Sequence, residues 1–340
     1  MSSKSSRRSV VVLGASGLLG TAVTRELAGL PVDLRVVGRR LTSVPERPVA
    51  DVEVRTADLT EPHELARAIA GADAIVHLVA HIAGPATWRV SAGDAVAERV
   101  NLGLVHDLIS VLRAQRPATP PVVLFAGSMS QVGHPTGGRI DGTEPDNPLT
   151  TYDRQKQAAE NALKAATADG VLRGATLRLA TLFSQGTDSI SLDRGVVSAM
   201  ARRAWAGEPL TMWHDGTVKR DLLCVDDAAA AFASALDHAD ALAGRHWLVG
   251  TGLATSIADL FGSIAEAMST ATGKPAVPVI STEPAGQSMQ TDQLDFVLDP
   301  GPFGRATGWQ ARIALAEALK RTAVAIADHA ERTHAATTSA

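Results

Sequence analysis

The single tyrosine of the chain stands four residues before a lysine, within a segment rich in helix-forming residues. Tyr152 and Lys156 should therefore lie on the same face of a helix. An ammonium group beside a phenol favours the phenolate, so we expect Lys156 to lower the pKa of Tyr152 below its ordinary value of about 10. A phenol with a lowered pKa can serve as an acid near neutral pH. Chance could also produce this spacing, and the motifs around it decide between the two interpretations.

A glycine-rich segment follows the first predicted strand and opens the first predicted helix. It consists of Gly14, Ala15, Ser16, Gly17, Leu18, Leu19 and Gly20. Glycines here allow a tight turn, and they let a pyrophosphate approach the backbone while the helix packs closely on the strand. The helix N-terminus adds amide donors and the positive end of a dipole. An ordinary strand–helix turn can contain the same glycines, but this setting near the N-terminus favours a dinucleotide-binding loop.

The end of the second predicted strand indicates which dinucleotide binds. NAD-binding folds usually place a carboxylate there, about 20 residues beyond the loop, to hold the ribose hydroxyls. This chain has Gly38 at that place, followed by Arg39 and Arg40. Loss of the acid removes repulsion toward a 2′-phosphate, and a guanidinium can hold that phosphate with two hydrogen bonds. We therefore expect NADP(H), with Asp58 and Leu59 near its adenine.

Short apolar runs alternate with helical patterns through the first half of the chain. The predicted strands are residues 10–13, 34–37, 52–55, 74–79, 122–126 and 175–179. The predicted helices are residues 20–30, 61–70 and 95–115, together with the helix that carries Tyr152. This alternation predicts an α/β fold built on a doubly wound, parallel (Rossmann) sheet.

Glycine and proline interrupt the pattern after Thr181, which indicates a smaller C-terminal substrate-binding lobe. Residues 221–236 should return to the sheet as a strand and a helix. We assign residues 9–181 and 218–240 to the dinucleotide-binding domain, residues 182–217 and 241–332 to the lobe, residues 1–8 to a disordered N-terminus and residues 333–340 to a loose tail.

The composition excludes several classes of protein. With 45% hydrophobic and 20% charged residues, the 340-residue chain can bury a large core. A net charge of −4 gives no reason to expect nucleic acid as a partner. The single cysteine, Cys224, excludes an intrachain disulfide framework, and no Cys/His cluster suggests a metal. No apolar run is long enough for a signal sequence or a membrane span, so we expect a cytoplasmic protein.

Ser128 follows the fifth predicted strand, at the sheet edge where ligands bind in such folds. Its hydroxyl would face the nicotinamide there, although a lone serine in this context is more often a turn residue. The glycine loop, Ser128 and the Tyr–Lys pair together form a combination of cofactor-binding and catalytic motifs that is typical of one superfamily. The chain resembles an extended short-chain dehydrogenase/reductase of the nucleotide-sugar epimerase, dehydratase and reductase branch. The resemblance runs from about Ser9 to Leu319.

Further motifs carry this resemblance outside the catalytic set. They are Asp58-Leu59, the strand end Leu78-Val79-Ala80, Asn101, the stretch from Arg178 to Phe183, and residues 215–227, which resemble the branch's Arg-Asp-Phe-Ile-His-Val-Asp-Asp block. The resemblance implies that cofactor contacts come from Gly14, Ser16, Gly17, Leu18, Leu19, Gly20, Arg39, Arg40, Asp58, Leu59, Leu78, Val79, Ala80, Asn101, Tyr152, Lys156 and Leu182. Substrate contacts would come from His81, Ser128, Met129, Ser130, Thr181, Trp213 and Arg220.

The resemblance also implies how the site works. Tyr152 would give or take the proton at the substrate oxygen, and Lys156 would bind the nicotinamide ribose as well as tune the phenol. Ser128 would hold the substrate carbonyl and share the charge that develops on it. Arg220 would pair with the pyrophosphate of a nucleotide-linked substrate. Trp213 would either lie against the substrate's base or pack within the lobe.

Departures from the branch pattern narrow the reaction. Dehydratases carry Asp-Glu directly after the hydroxyl residue, whereas Met129 and Ser130 stand here and cannot do that proton chemistry. Epimerases keep NAD bound, whereas Arg39 and Arg40 favour an exchangeable NADPH. The remaining reaction is a ketone reduction, and the chain resembles the dTDP-4-keto-6-deoxyhexose 4-ketoreductases of antibiotic deoxysugar biosynthesis. Some relatives carry a second pyrophosphate arginine where residues 283–286 of this chain have none.

Three alternatives stay open at this point. An NADP-dependent reductase of a non-nucleotide ketone or aldehyde would keep the catalytic set and make Arg220 structural. A nucleotide-sugar epimerase would recycle its cofactor in place. A non-catalytic NADP(H)-sensing protein is the least favoured alternative, since such relatives commonly lack the Tyr–Lys pair.

The resemblance implies a homodimer that pairs through the 95–115 helix and the tyrosine helix, forming a four-helix interface. The first of these helices carries more apolar residues than one core-facing stripe needs. They are Val96, Val100, Leu104, Val105, Leu108, Ile109 and Leu112.

Overall fold

Strands and helices alternate along the chain in the computed structural model, which describes residues 7–81, 90–135, 137–183, 195–283 and 290–338. The strands are β1 (Ser9–Leu13), β2 (Asp33–Gly38), β3 (Asp51–Thr56), β4 (Ala74–His77), β5 (Val122–Ser128), β6 (Arg173–Leu179), β7 (Thr181–Phe183), β8 (Leu210–Trp213), β9 (Lys219–Arg220), β10 (Leu222–Cys224), β11 (His246–Val249), β12 (Thr255–Ser256) and β13 (Val279–Thr282).

The helices at the predicted places are present, and further helices follow them in the C-terminal part. They are α1 (Leu18–Ala28), α2 (Pro62–Ile69), α3 (Ala95–Glu98), α4 (Leu104–Gln115), α5 (Thr151–Ala168), α6 (Val196–Trp205), α7 (Val225–Asp237), α8 (Ala239–Leu242), α9 (Ile257–Thr272), α10 (Gly301–Thr307) and α11 (Leu315–Thr338). A π-helical turn (Arg99–Gly103) joins α3 to α4, and a 3₁₀ turn (Met129–Val132) follows β5 directly.

Seven of the strands form one parallel sheet in the order β11-β6-β5-β4-β1-β2-β3. This arrangement confirms the predicted α/β fold with a doubly wound sheet. The chain first adds β2 and β3 on one side of β1, and it then adds β4, β5, β6 and β11 on the other side. The direction of winding therefore reverses between β1 and β4. Ligands in such sheets bind at the carboxyl ends of the strands beside this switch point.

Consecutive residues of β1 enter two different cores because side chains alternate across a strand. Val10 and Val12 pack with α1 and α7 on one face of the sheet, and Val11 and Leu13 pack with α2, α4 and α5 on the other. A third core joins α6, α9 and α11 to β8 and β10. The sheet is therefore covered on both faces, and the C-terminal elements form a core of their own.

The structure differs from the prediction on the C-terminal side of the sheet. β11 pairs with β6 as the seventh strand, although the sequence pattern assigns its residues to the lobe. β10 pairs with β7 in a separate two-stranded sheet instead of joining the central one, whereas α7 is the predicted helix and packs against α1 beside the sheet. These strands have four and three residues, so their local pattern carries little information about their partners.

Both predicted loose ends are more ordered than expected where the structure describes them. The Arg8 guanidinium donates to the Leu236 carbonyl at 2.9 Å, which anchors the start of β1. Residues 333–338, predicted as part of a loose tail, belong to α11, which continues to Thr338. Residues 1–6 lie outside the described residues. Neither α11 nor any other helix in the described ranges is both long enough and apolar enough to cross a membrane.

The apolar residues of the 95–115 segment are covered by the chain itself. Six of the seven named above are buried: Val100, Leu104, Val105, Leu108, Ile109 and Leu112. Val96 is the exception, with 60% of its surface exposed. The surplus of apolar surface predicted for this helix is therefore wrong, since α4 covers α2 and α5 as well as the sheet. The homodimer stays a prediction that follows from the resemblance.

Truncating this helix should separate core residues from surface residues. We expect Leu108→Ala to lower the free energy of unfolding by about 2–5 kcal/mol, since it leaves a cavity in a closed core. Val96→Ala should change it by less than about 0.5 kcal/mol, as is usual for exposed positions. Urea unfolding of both variants measures the difference. Equal effects of the two substitutions would contradict the packing described for α4.

Candidate active site

The glycine loop lies at the switch point of the sheet and touches the neighbouring strand end. Gly14 has a φ of +87°, and a Cβ there would lie 2.9 Å from the Val79 amide nitrogen. A Cβ on Gly20 would lie 2.1 Å from the Gly14 carbonyl oxygen. Only glycine permits this packing, in which α1 begins close against the end of β1. The sequence-based interpretation of these two glycines agrees with their surroundings.

The first turn of α1 presents backbone amides at this edge. Gly17 occupies the N-cap position and contributes no side-chain hydrogen bond to the turn. The Gly14 and Ala15 amides donate to the Val37 carbonyl at 2.9 and 3.0 Å, which holds the loop against β2. The unsatisfied amides of a helix start, together with the helix dipole, favour an anionic group such as a phosphate. A dinucleotide pyrophosphate therefore fits the loop.

The end of β2 has no room for the acid found in NAD-binding folds. A Cβ on Gly38 would lie 2.6 Å from the Ser16 hydroxyl oxygen and 2.9 Å from its Cβ, so a longer side chain would displace the loop. Arg39 and Arg40 follow with exposed side chains. Hydrogen bonds from Thr60, together with the charge of Arg39, lower the pKa of Asp58. A guanidinium thus lies near the carboxylate that is expected at the adenine end.

Helix α5 holds the Tyr–Lys pair against the end of β5. The Lys156 ammonium donates to the Ala126 carbonyl at 2.9 Å and lies 4.5 Å from the centre of the Phe125 ring. It lies 5.7 Å from the centre of the Tyr152 ring, so both residues share a face as predicted. Burial lowers the pKa of Lys156 to about 7, which makes its charge marginal near neutrality.

The protonation state of Tyr152 differs from the expectation. Burial, and to a smaller extent the Asp153 carboxylate, raise the pKa of the phenol above its ordinary value. The prediction that Lys156 lowers this pKa is therefore wrong for this structure, because the low polarity of the site acts on both groups and weakens the ammonium. A phenol with a raised pKa stays protonated near neutrality, and that is the form a proton donor requires.

Ser128 begins a chain of hydrogen bonds that ends on α5. Its hydroxyl lies 2.6 Å from the Ser130 hydroxyl, and Ser130 bonds in turn to Asp153. The second carboxylate oxygen of Asp153 accepts from the Thr150 hydroxyl at 2.6 Å. Two hydroxyls, those of Ser128 and Ser130, therefore connect the end of β5 to the buried carboxyl group of Asp153, the residue next to Tyr152.

A buried charge network fixes the backbone of Ser128. The Ser128 amide donates to Gln131 at 3.0 Å, and Gln131 donates to Glu160 at 3.1 Å. Glu160 also accepts two bonds from Arg178, at 2.8 and 2.9 Å, and Arg178 makes a two-bond pair with Asp146. Burial would raise the pKa of Glu160, but hydrogen bonds from its neighbours hold the pKa well below its usual range.

Asn101, expected among the cofactor contacts, holds the loop after β4 in this structure. Its side chain accepts from the His81 amide at 2.7 Å and donates to the His81 carbonyl and to Gln155. Asn101 is 1% exposed, so its amide is fully engaged with the protein. It thereby positions His81 and the strand end before it, which includes Val79 beside the glycine loop.

The predicted substrate residues separate into exposed and buried ones. Trp213 is 37% exposed at the end of β8 and lies outside the cores. Met129 is 9% exposed and packs in the core of the sheet. Arg220 donates to the carbonyls of Lys219, Asp292 and Leu294, so its guanidinium holds the 292–294 backbone. Of the remaining predicted positions, Leu59 is buried. The others are half-buried and lie at the strand ends or in the first turn of α1: Leu18, Leu19, Leu78, Ala80, Thr181 and Leu182.

Sequence reasoning missed Asp153, Gln131 and Glu160. Two local signals could have found the carboxylates. Asp153 stands three residues after Thr150, which matches the pattern of a helix cap. Glu160 stands four residues after Lys156 and therefore on the same face of α5. No local pattern marks Gln131, because its contact with Glu160 joins residues 29 positions apart.

Comparison with known proteins shows the family to which the chain belongs. Residues 10–250 match the NAD dependent epimerase/dehydratase family. The chain belongs to this family. It is 28% identical over 326 residues to the 2'-dehydrokanamycin reductase of Streptomyces kanamyceticus, a match that covers 89% of this chain and 80% of that protein. It is 27% identical over 317 residues to the dTDP-6-deoxy-L-talose 4-dehydrogenase (NAD(P)(+)) of Kitasatospora kifunensis, covering 92% of this chain and 93% of that protein.

A solved structure agrees with the fold of this family member. MoeE5 in complex with UDP-glucose and NAD superposes with a TM-score of 0.76 at 23% identity, covering 96% of this chain and 99% of that one. At this identity the likeness concerns the fold. The predicted resemblance is confirmed at the level of the family.

Replacing Arg39 should reveal the cofactor preference. We expect Arg39→Ala to weaken NADPH binding by about ten- to a hundred-fold, because a charge-assisted contact to the 2′-phosphate contributes on the order of 1.5–3 kcal/mol. NADH binding should change little, since NADH lacks that phosphate. Titration calorimetry with both dinucleotides measures the two dissociation constants, with Arg47→Ala as a control at an exposed arginine beyond the strand end. A wild-type preference for NADH, or equal losses for both dinucleotides, would contradict the assignment.

Proposed function

We propose that the chain is an NADPH-dependent ketoreductase that acts on a sugar. The observation that carries the proposal is the hydroxyl chain between Ser128 and Asp153, which ties a hydrogen-bonding serine at the end of β5 to the residue beside Tyr152. Bound NADPH would supply the hydride. The protein would supply a proton donor and a second hydrogen-bonding group for the same oxygen.

The protonation states of the site support reduction. Tyr152 has a raised pKa and keeps its proton near neutrality, so it can protonate the oxygen as the carbonyl is reduced. Ser128 offers a hydroxyl that can stabilise negative charge on that oxygen. The ammonium form of Lys156 would stabilise the phenolate left after the transfer, and its pKa of about 7 makes that form accessible.

Two observations favour net reduction over the other reactions of the family. Gly38 and the two arginines that follow it favour NADPH, which suits a cofactor that is exchanged after each turnover. Met129 and Ser130 occupy the positions where dehydratases carry an acid and a base. Met129 packs in the core, so it offers no group for the elimination of water.

The nucleotide-activated deoxysugar is the first candidate substrate. A dTDP-4-keto-6-deoxyhexose fits the resemblance of the sequence, and one relative is named for a dTDP-6-deoxysugar. The exposed Trp213 could lie against the base of such a substrate. Arg220 would have to serve the pyrophosphate while it also bonds to the 292–294 backbone.

A sugar ketone without a nucleotide is the second candidate. The bonds between Arg220 and three backbone carbonyls give this arginine a structural task that needs no pyrophosphate. Another relative is named for 2'-dehydrokanamycin, a compound whose name includes no nucleotide. Both candidates share the same chemistry at the carbonyl.

Replacing the phenol tests the reaction. We expect Tyr152→Phe to lower the turnover number by roughly 10²–10⁴-fold, the usual contribution of one positioned general acid. The phenyl ring preserves packing, so the unfolding temperature and NADPH binding should stay close to those of the wild type. NADPH oxidation with a sugar ketone measures turnover. Near wild-type turnover by this variant would refute the role of Tyr152.

A comparison of two ketones decides between the substrate classes. If the pyrophosphate is bound by a guanidinium, the kcat/KM for a dTDP-linked 4-keto-6-deoxyhexose should exceed that for the matching methyl glycoside by at least about tenfold. Equal values, or a preference for the glycoside, would select the second candidate. Oxidation of NADPH by neither ketone would count against both.

A further inference from the structure

Asp153 is a buried carboxyl group to which the proposed chemistry assigns no role. It is 1% exposed, and its two oxygens bond to the hydroxyls of Ser130 and Thr150. Its backbone amide donates to the Thr150 hydroxyl at 3.1 Å. Ser130 in turn contacts Ser128, both through its hydroxyl and through its amide, which donates to the Ser128 hydroxyl at 3.3 Å. The Ser130 hydroxyl therefore links Asp153 to the Ser128 hydroxyl.

A second aspartate shows what helix capping alone requires. At the start of α9, Asp259 accepts from the Ser256 hydroxyl at 2.6 Å, and its amide donates back at 3.0 Å. This local arrangement matches the one between Thr150 and Asp153. Asp259 is exposed, whereas Asp153 is buried and receives the additional contact from Ser130. Capping accounts for the Thr150 contact and leaves the Ser130 contact unexplained.

The direction of the hydroxyl chain depends on the proton of Asp153. When the carboxyl group is ionised, it can only accept, so Ser130 donates to it and Ser128 donates to Ser130. The Ser128 proton then points away from the substrate. When the carboxyl group is protonated, it can donate to Ser130, Ser130 can donate to Ser128, and the Ser128 proton is free for the substrate oxygen.

We propose that Asp153 is a positioning residue for the reduction, and that its protonated form turns the Ser130 and Ser128 hydroxyls so that Ser128 donates to the substrate carbonyl. This inference rests on the proposed function, because it requires a carbonyl oxygen beside Ser128. No bond other than hydrogen bonds forms or breaks along the chain. Tyr152 remains the donor of the transferred proton.

The surroundings of Asp153 shift its ionisation toward higher pH. Burial raises its pKa above the ordinary carboxyl range, against the lowering effect of the two hydroxyls and of the Arg154 charge. The charged or titratable neighbours that act on it, Arg154 and Tyr152, both lie on α5. The turn that carries Ser130 contributes neutral side chains. Since the protonated form is the active orientation, ionisation of Asp153 should lower the rate of reduction. This decline adds to the one that deprotonation of Lys156, with its pKa of about 7, causes in every variant that keeps the lysine.

Asp153→Asn tests the proposal because an amide imitates the protonated acid. Its nitrogen can donate to Ser130 at every pH while its oxygen accepts from Thr150. We expect wild-type kcat for ketone reduction to fall by about tenfold between the acidic and alkaline sides of the ionisation, less than the ~10²–10³-fold loss of a full oxyanion donor, because Tyr152 still donates. The variant should lack this decline, keep the one that Lys156 causes, and exceed the wild type at alkaline pH, with KM nearly unchanged.

Two further variants separate orientation from capping. Ser130→Ala breaks the chain and leaves Ser128 free to rotate, so its kcat should also lose the decline that Asp153 causes. Asp259→Asn alters the matched aspartate at the start of α9 and should keep the wild-type profile. Profiles of kcat and KM between pH 5 and 9, with saturating NADPH, compare all four proteins.

The outcomes distinguish this inference from the proposed function. Loss of the decline that Asp153 causes in both Asp153→Asn and Ser130→Ala, with its retention in Asp259→Asn, supports the positioning role. A wild type that reduces a ketone with a pH profile on which that of Asp153→Asn superimposes overturns the inference alone. If Asp153→Asn fails to fold, the decline in Ser130→Ala decides in the same way. A wild type that reduces no sugar ketone overturns the proposed function, and the inference with it.

Discussion

The geometry of the site depends on one buried carboxylate, Glu160, which has no exposed surface. It accepts hydrogen bonds from Gln131 after β5 and from Arg178 on β6, and it lies 3.1 Å from His246 Nδ1 on β11, so it contacts three elements neighbouring α5. A buried carboxylate without such partners would be strongly destabilising, and therefore these contacts must form together. Because Gln131 also accepts from the Ser128 amide, the same interaction sets the position of Ser128 relative to the helix that carries the tyrosine.

Burial of this region then decides where protons reside. It raises the pKa of Tyr152 and of Asp153, and it lowers the pKa of Lys156 to about 7. The same cause acts in opposite directions because burial disfavours the charged form of each group. A phenol that stays protonated near neutrality suits a reaction in which the substrate oxygen gains a proton. The fold and the glycine loop are those of the family, and these protonation states support the proposal that this member catalyses reduction.

Local sequence patterns predicted what depends on local structure. The glycine loop, the first six strands and the shared face of Tyr152 and Lys156 follow from strand and helix periodicity, and the structure has them. β11 was not predicted, because a four-residue strand is defined by its partner β6. The protonation state of Tyr152 was predicted with the wrong sign, since spacing along a helix gives the distance to Lys156 but not the polarity around it. The hydroxyl chain to Asp153 also required the fold, because Ser130 and Asp153 are 23 residues apart.

Net transfer of hydride separates a reductase from an epimerase that recycles its cofactor. The most direct measurement uses a limiting amount of NADPH carrying deuterium at the transferred position, together with a dTDP-linked 4-keto-6-deoxyhexose or its methyl glycoside. Mass spectrometry and NMR of the product then locate the label, and absorbance follows the oxidation of NADPH. We predict one deuterium in the product for each NADPH oxidised, on the carbon that carried the carbonyl. Interconversion of sugar epimers without net oxidation of NADPH, or a product without deuterium, would contradict a reductase.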